Sequence, residues 1–115
     1  MEPDPSKALT SLIRWESSLD GLIGEANQCD RIAGPSVHLD RPAVRAVLRR
    51  CISGDVDVLE LPRWADSVHM MERVEIDEVD VDLLSQFLFE VSTPELFEPI
   101  TVDACRRWLK RLESA

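Results

Sequence analysis

The stretch from Asp40 to Gly54, DRPAVRAVLRRCISG, leaves the chain little conformational choice. Asp40 can cap a helix, Pro42 suits its first turn, and Gly54 supplies a stop. Between them Val44, Val47, Leu48 and Cys51 fall at i, i+3, i+4 and i+7, an apolar stripe on one helical face. Arg41, Arg45 and Arg49 stack on the outer face, with Arg50 beside them. A helix this short cannot bury its stripe alone, so the rest of the chain must supply other amphipathic helices to pack on it.

The same grammar recurs on both sides. Leu9, Leu12, Ile13, Leu19, Leu22, Ile23 and Ala26 keep helical spacing, and predict an N-terminal helix within residues 1–28 with Ser6 as its N-cap. Asp20-Gly21 is the place where that helix would bend or fray, because interior glycine costs about 1 kcal/mol relative to alanine. Residues 29–40, CDRIAGPSVHLD, centre on Gly34-Pro35-Ser36 and read as a loop.

Past Gly54 the signals mix. Asp57 and Glu60 form a capping box, and Val58, Leu61, Ala65, Val68 and Met71 share a face, but Pro62 would remove a backbone hydrogen bond inside a helix begun at Val58. The alternatives are a helix starting near Leu61 with Pro62 at its first position, or a short turn ahead of it, and the turn is favoured. A further helix runs from about Val79 to Val91 with Leu84, Phe87, Leu88 and Val91 inward. Residues 92–101 are a two-proline connection, in which Ser92 or Thr93 caps a single turn and Leu96 and Phe97 plug the end of the bundle. Thr101 caps a last helix with Val102, Cys105, Leu109 and Leu112 inside and Trp108 at the edge. Val-Glu-Ile-Asp at 74–77 alternates for too few residues to predict a sheet. The expectation is an all-α, small single-domain bundle of about five helices over residues 1–115: an N-terminal helix (1–28), a loop (29–40) and a helical core (41–115).

Length and an apolar fraction of 44 % suit one globular domain. No apolar run approaches the roughly 18 residues of a membrane span, and MEPDPSKALT lacks the basic-then-apolar start of a signal peptide. Cytoplasmic residence and no membrane partner follow as expectations. The cysteines, Cys29, Cys51 and Cys105, are odd in number and widely spaced, against a disulfide framework. Cys51 and Cys105 fall on apolar faces as core residues, and Cys29, in the loop, is the thiol that could be exposed.

The charge is lopsided. Residues 1–54 are neutral, 55–103 carry two basic side chains against fourteen acidic ones, and 104–115 carry four basic against Glu113. The total is −9. Such a field repels phosphate and attracts a basic partner, so nucleic acid is disfavoured despite Arg41, Arg45, Arg49, Arg50 and the RRWLKR of 106–111. The more natural partner for those arginines is the chain's own acidic middle. The densest acidic run, ERVEIDEVDVD, holds Glu72, Glu75, Asp77, Glu78, Asp80 and Asp82. Three of these, Asp77, Asp80 and Asp82, lie at a helix N-terminus, where the dipole favours negative charge.

Chemistry finds little purchase. Counting a calcium loop from Asp77 puts Leu88 where its closing glutamate belongs, and no glycine follows Gly54. His38 and His69 are not at metal-ligand spacing with each other or with a cysteine. Cys29 and His38 share a loop, but no orienting group or oxyanion hole accompanies them. The four glycines are too scattered for a phosphate loop. No catalytic residue, metal or cofactor is expected.

From Cys51 to Leu112 the chain resembles a known group. Ser53-Gly54, then Glu60, Leu61, Trp64 and Ala65, then LFEVSTPEL (Leu88–Leu96) and Pro99-Ile100-Thr101 are similar to small, largely uncharacterised bacterial helical proteins, some of which resemble immunity proteins of toxin systems. Pro62 departs from that pattern. The resemblance implies a helical fold and a non-enzymatic inhibitor of a basic toxin domain; it carries over no site residue. Charge makes residues 72–82 the expected partner-binding surface. The alternative is a regulatory or adaptor bundle with an apolar groove around Met70, Met71, Leu96 and Phe97.

Overall fold

The cap, stripe and stop of residues 40–54 operate as written. In the computed structural model, which describes residues 5–31 and 34–114, Asp40 accepts a hydrogen bond from the Ala43 N–H (3.0 Å) and opens a helix over Arg41–Ser53. Gly54 ends it in the left-handed region at φ +82°, which a side chain would strain. Val44, Val47, Leu48 and Cys51 are all buried.

Among the described residues six α-helices form: α1 (Pro5–Arg14), α2 (Leu19–Asp30), α3 (Arg41–Ser53), α4 (Leu61–Met70), α5 (Val81–Ser92) and α6 (Val102–Ser114). Two short strands, β1 (Val37–Leu39) and β2 (Val74–Ile76), pair in parallel with His38 opposite Glu75. The chain is mostly helical, as expected, but the expected five-helix bundle becomes six helices and a two-stranded sheet. Helices pack chiefly in pairs, α1 on α2, α3 on α6 and α4 on α5. Their shared core is built on Leu12, Leu48, Trp64, Phe87 and Leu112, each fully buried. Trp108 meets Phe87 edge-on, with ring centres 5.2 Å apart.

The extra helix arises because the N-terminal helix breaks at Trp15, not at Asp20-Gly21. Trp15 takes φ +52°, and Trp15 N–H→Leu12 O (3.0 Å) and Glu16 N–H→Ser11 O (3.2 Å) close a Schellman turn normally made with glycine. A tryptophan there costs about 1–2 kcal/mol of backbone strain, and distant residues offset it. Its ring stacks on Trp64 at 6.2 Å, and Trp64 Nε1–H donates to Leu12 O at 2.8 Å. Arg50 donates to the carbonyls of Arg14 and Trp15. Ser6 lies inside α1 instead of capping it.

The expected loop 29–40 is also corrected. Cys29 sits in the last turn of α2, and residues 37–39 form β1, whose Leu39 is fully buried. A parallel pair needs a long crossover, and α3 and α4 supply it. Pro62 is accommodated both ways: Asp57 caps a 3-10 turn over Val58–Glu60 (Leu59 N–H, 2.9 Å), and α4 then starts at Leu61. Thr101 caps α6 through the Ala104 N–H (3.1 Å). Leu96 and Phe97 plug nothing; both are exposed. The acidic start, residues 1–4, and positions 32 and 33 of the connection lie outside the described residues.

The buried cysteines carry a prediction. The neighbouring Cys105 thiol, reinforced by burial, pushes the Cys51 thiol far above its usual range. Thiol titration of the native chain should therefore label half-buried Cys29 first, with Cys51 and Cys105 reacting only after denaturant is added. Equal reactivity of all three would refute this packing of α3 on α6.

Candidate functional site

ERVEIDEVDVD links α4 to α5, and tertiary contacts divide its acids. In β2, Val74 and Ile76 are half-buried while Glu75 points outward. There its carboxylate accepts from Ser36 Oγ (3.2 Å) and faces His38 Nε2 across the sheet (3.6 Å). Asp77 is structural: its N–H donates to Leu39 O (2.9 Å), and its carboxylate opens a 3-10 turn over Glu78–Asp80. Asp80 is structural too. Arg41 clamps it with both Nε (Nε–Oδ2 3.3 Å) and Nη2, and donates from Nη1 to Leu112 O (3.0 Å), tying the turn to α3 and the end of α6. That hydrogen bond to Asp80 holds the Arg41 guanidinium still more firmly protonated. Glu72, Glu78 and Asp82 are exposed and have no ion pair among the described residues. The structure thus leaves Glu72, Glu75, Glu78 and Asp82 at the surface and draws Asp77 and Asp80 into the fold.

Charge counting overlooked the residue that holds this segment down. Arg73, only 8 % exposed, donates from Nη1 to Cys29 O (2.8 Å) and from Nη2 and Nε to Pro35 O (2.6 and 3.2 Å). Asp30 returns the grip, accepting from the backbone N–H of Arg73 (2.8 Å) and Glu72 (3.1 Å). Gly34 is needed beside it, since a Cβ there would stand 2.8 Å from Arg73 Nη2. One signal was available: Arg73 is the lone cation within eleven residues of acids and branched apolar side chains.

The arginines outside the segment meet the acidic middle as expected in four cases. Arg41 pairs with Asp80, Arg50 with Asp55, Arg106 with Asp103 and Arg107 with Glu98. Arg49 turns instead to Glu113, and Arg111 lies over the Trp108 ring at 4.2 Å.

What the acidic half shows to solvent is unusually apolar. Every large hydrophobic side chain that is exposed among the described residues lies within it: Leu59, Met70, Val79, Val81, Phe89, Leu96 and Phe97. The groove expected around Met70, Met71, Leu96 and Phe97 is not the one that forms. Met71 is buried, and Phe97 packs edge-on against Phe89 at 5.4 Å. The apolar groove, about 420 Å³, is lined by Leu59, Pro62, Pro94, Glu95, Pro99 and Ile100. It brings the start of α4 beside the end of α5. Met70 lies a whole helix away, roughly 13 Å at 1.5 Å per residue.

No protein-family model, curated protein or solved structure matches the chain. Function must therefore be read from the geometry. Among the described residues no three His, Cys, Asp or Glu side chains converge to hold a metal, and no helix is long and apolar enough to cross a membrane. Cys29 lies at the end of α2, its carbonyl held by Arg73, and His38 faces Glu75 from β1.

Proposed function

We propose that the chain is a non-enzymatic interaction module of the bacterial cytosol whose α4–α5 half binds a basic protein. Its concrete form is an immunity-type inhibitor that occludes a basic toxin domain. The observation that carries this is the coincidence of two kinds of surface: the segment with net charge −12 also bears the exposed large hydrophobics. Carboxylates steer a cationic partner and fix its register, and apolar area supplies affinity once water is expelled. Glu72, Glu75, Glu78 and Asp82 make the contacts. Asp77 and Asp80 act indirectly, by setting the turn that presents them.

The test is capture of partners from host lysate on the immobilised chain at low and high salt, with bound proteins identified by mass. A basic nuclease-like protein should be retained at low salt. The double reversal Glu75→Lys with Glu78→Lys should slow its association by about tenfold or more. Thermal unfolding should barely change, because Glu75 meets Ser36 and His38 only at the exposed surface, where such pairs add little stability. A partner indifferent to both salt and reversal, or the absence of any partner, would overturn the reading.

A further inference from the structure

We infer that the groove between the start of α4 and the end of α5 is a docking slot for an amphipathic helical segment of a partner protein, one whose apolar side chains are flanked by lysine or arginine.

The walls argue for side-chain docking over strand addition. Pro62, Pro94 and Pro99 have no N–H to offer. Four N–H groups near them are spent internally: Leu59 on Asp57 Oδ1 (2.9 Å), Glu60 on Asp57 O (3.0 Å), Leu96 on Thr93 O (2.9 Å) and Phe97 on Pro94 O (3.3 Å). The two strands among the described residues, Val37–Leu39 and Val74–Ile76, lie outside the groove's lining, which favours binding through side chains, as a helix does when it lays its apolar face in a groove. Three proline rings also hold the wall in one shape, which reduces the ordering cost of binding. Leu59, 75 % exposed, stands at the groove with no packing role of its own.

Charge complementarity selects the flanks. Asp57 and Glu60 bracket Leu59, and Glu95 lines the groove; all three are exposed, and none is in an ion pair among the described residues. The neighbouring cation, Arg63, is engaged by Asp20. The rim is therefore net negative around an apolar floor. It complements a helix with leucine-like residues at i and i+3 or i+4 and basic residues a turn to either side, and repels an acidic one.

This site is separate from residues 72–82, which lie at the other end of the α4–α5 pair, so different variants test the two. A displayed random-peptide library selected on the full chain, with the bound site mapped by amide NMR shifts, decides the question. Enriched peptides should carry apolar anchors flanked by lysine or arginine, and their shifts should centre on residues 57–62 and 94–100. Affinity should fall about tenfold or more on Leu59→Ser and again on Glu60→Lys with Glu95→Lys, while Glu75→Lys with Glu78→Lys leaves it intact. These surface changes leave the core untouched, and an unaltered unfolding midpoint verifies that. No enrichment, acidic peptides, or shifts confined to residues 72–82 would overturn the docking slot without bearing on the inhibitor reading.

Discussion

Trp64→Ala is expected to lower folding stability by about 3–5 kcal/mol, a large share of the roughly 5–15 kcal/mol available to a domain of this kind. Three roles coincide at this residue. Its side chain is fully buried, so truncation opens a cavity in the shared core. Its indole N–H is the donor that holds Leu12 O at the end of α1. Its ring is also the platform for Trp15, which sits at positive φ and depends on outside contacts to stay there. Urea unfolding followed by circular dichroism should show the midpoint falling sharply with little change in slope. Trp64→Phe separates these roles: it keeps most of the ring contact and removes the donor, and should cost about 0.5–1.5 kcal/mol, the net worth of one hydrogen bond, because Leu12 O still accepts from the Trp15 N–H. A loss below about 1 kcal/mol in the alanine variant would mean that Trp64 does not anchor the α1–α2 turn.

Arg73→Met should be next, at about 3 kcal/mol, because hydrogen bonds from a charged donor are worth roughly 1.5–3 kcal/mol each. The Cys29 and Pro35 carbonyls would lose the guanidinium together, Cys29 O keeping only the Arg31 N–H. The effect should be regional. Hydrogen exchange ought to quicken at the Val37 and Asp77 amides, which bond to Arg73 O and Leu39 O at the two ends of the strand pair, well before it quickens in α3 or α6. Arg73→Lys should rescue only part, since an ammonium lacks the planar fork that spans two carbonyls. Uniform acceleration across all helices would show that Arg73 supports the whole core and not this segment.

The Arg73 variant bears on the proposed function because it acts on how the acidic segment is held. Arg73 and Asp30 fasten the start of the acidic connection, and Arg41 with Asp80 fastens its end. The backbone between these two fixings is held as on a strap, which in the proposed function presents its carboxylates from a fixed position. On that proposal, losing either fixing should weaken binding of the proposed basic partner through disorder, without Arg73 or Arg41 touching it.

Much of this architecture was written locally. Asp40, Pro42 and Gly54 bounded α3, Thr101 opened α6, and the stripes of α3 and α5 named their buried residues correctly, because caps and 3.6-residue periodicity act within a few neighbours. The lopsided charge was equally legible, being a property of composition along the chain. Tertiary structure alone decided the rest. Trp15, which carries no local stop signal, became a helix end because Trp64 and Arg50 reach it from more than thirty residues away. Residues 37–39 and 74–76 became strands because a parallel pair joins segments separated by two helices, and three residues of alternation hold no record of a partner that distant. The acids of 72–82 looked equivalent in sequence. Only the fold separated Asp77 and Asp80 from Glu72, Glu75, Glu78 and Asp82, since a carboxylate is drawn inward only where a guanidinium or a run of N–H groups waits for it, and chain folding alone brings those together.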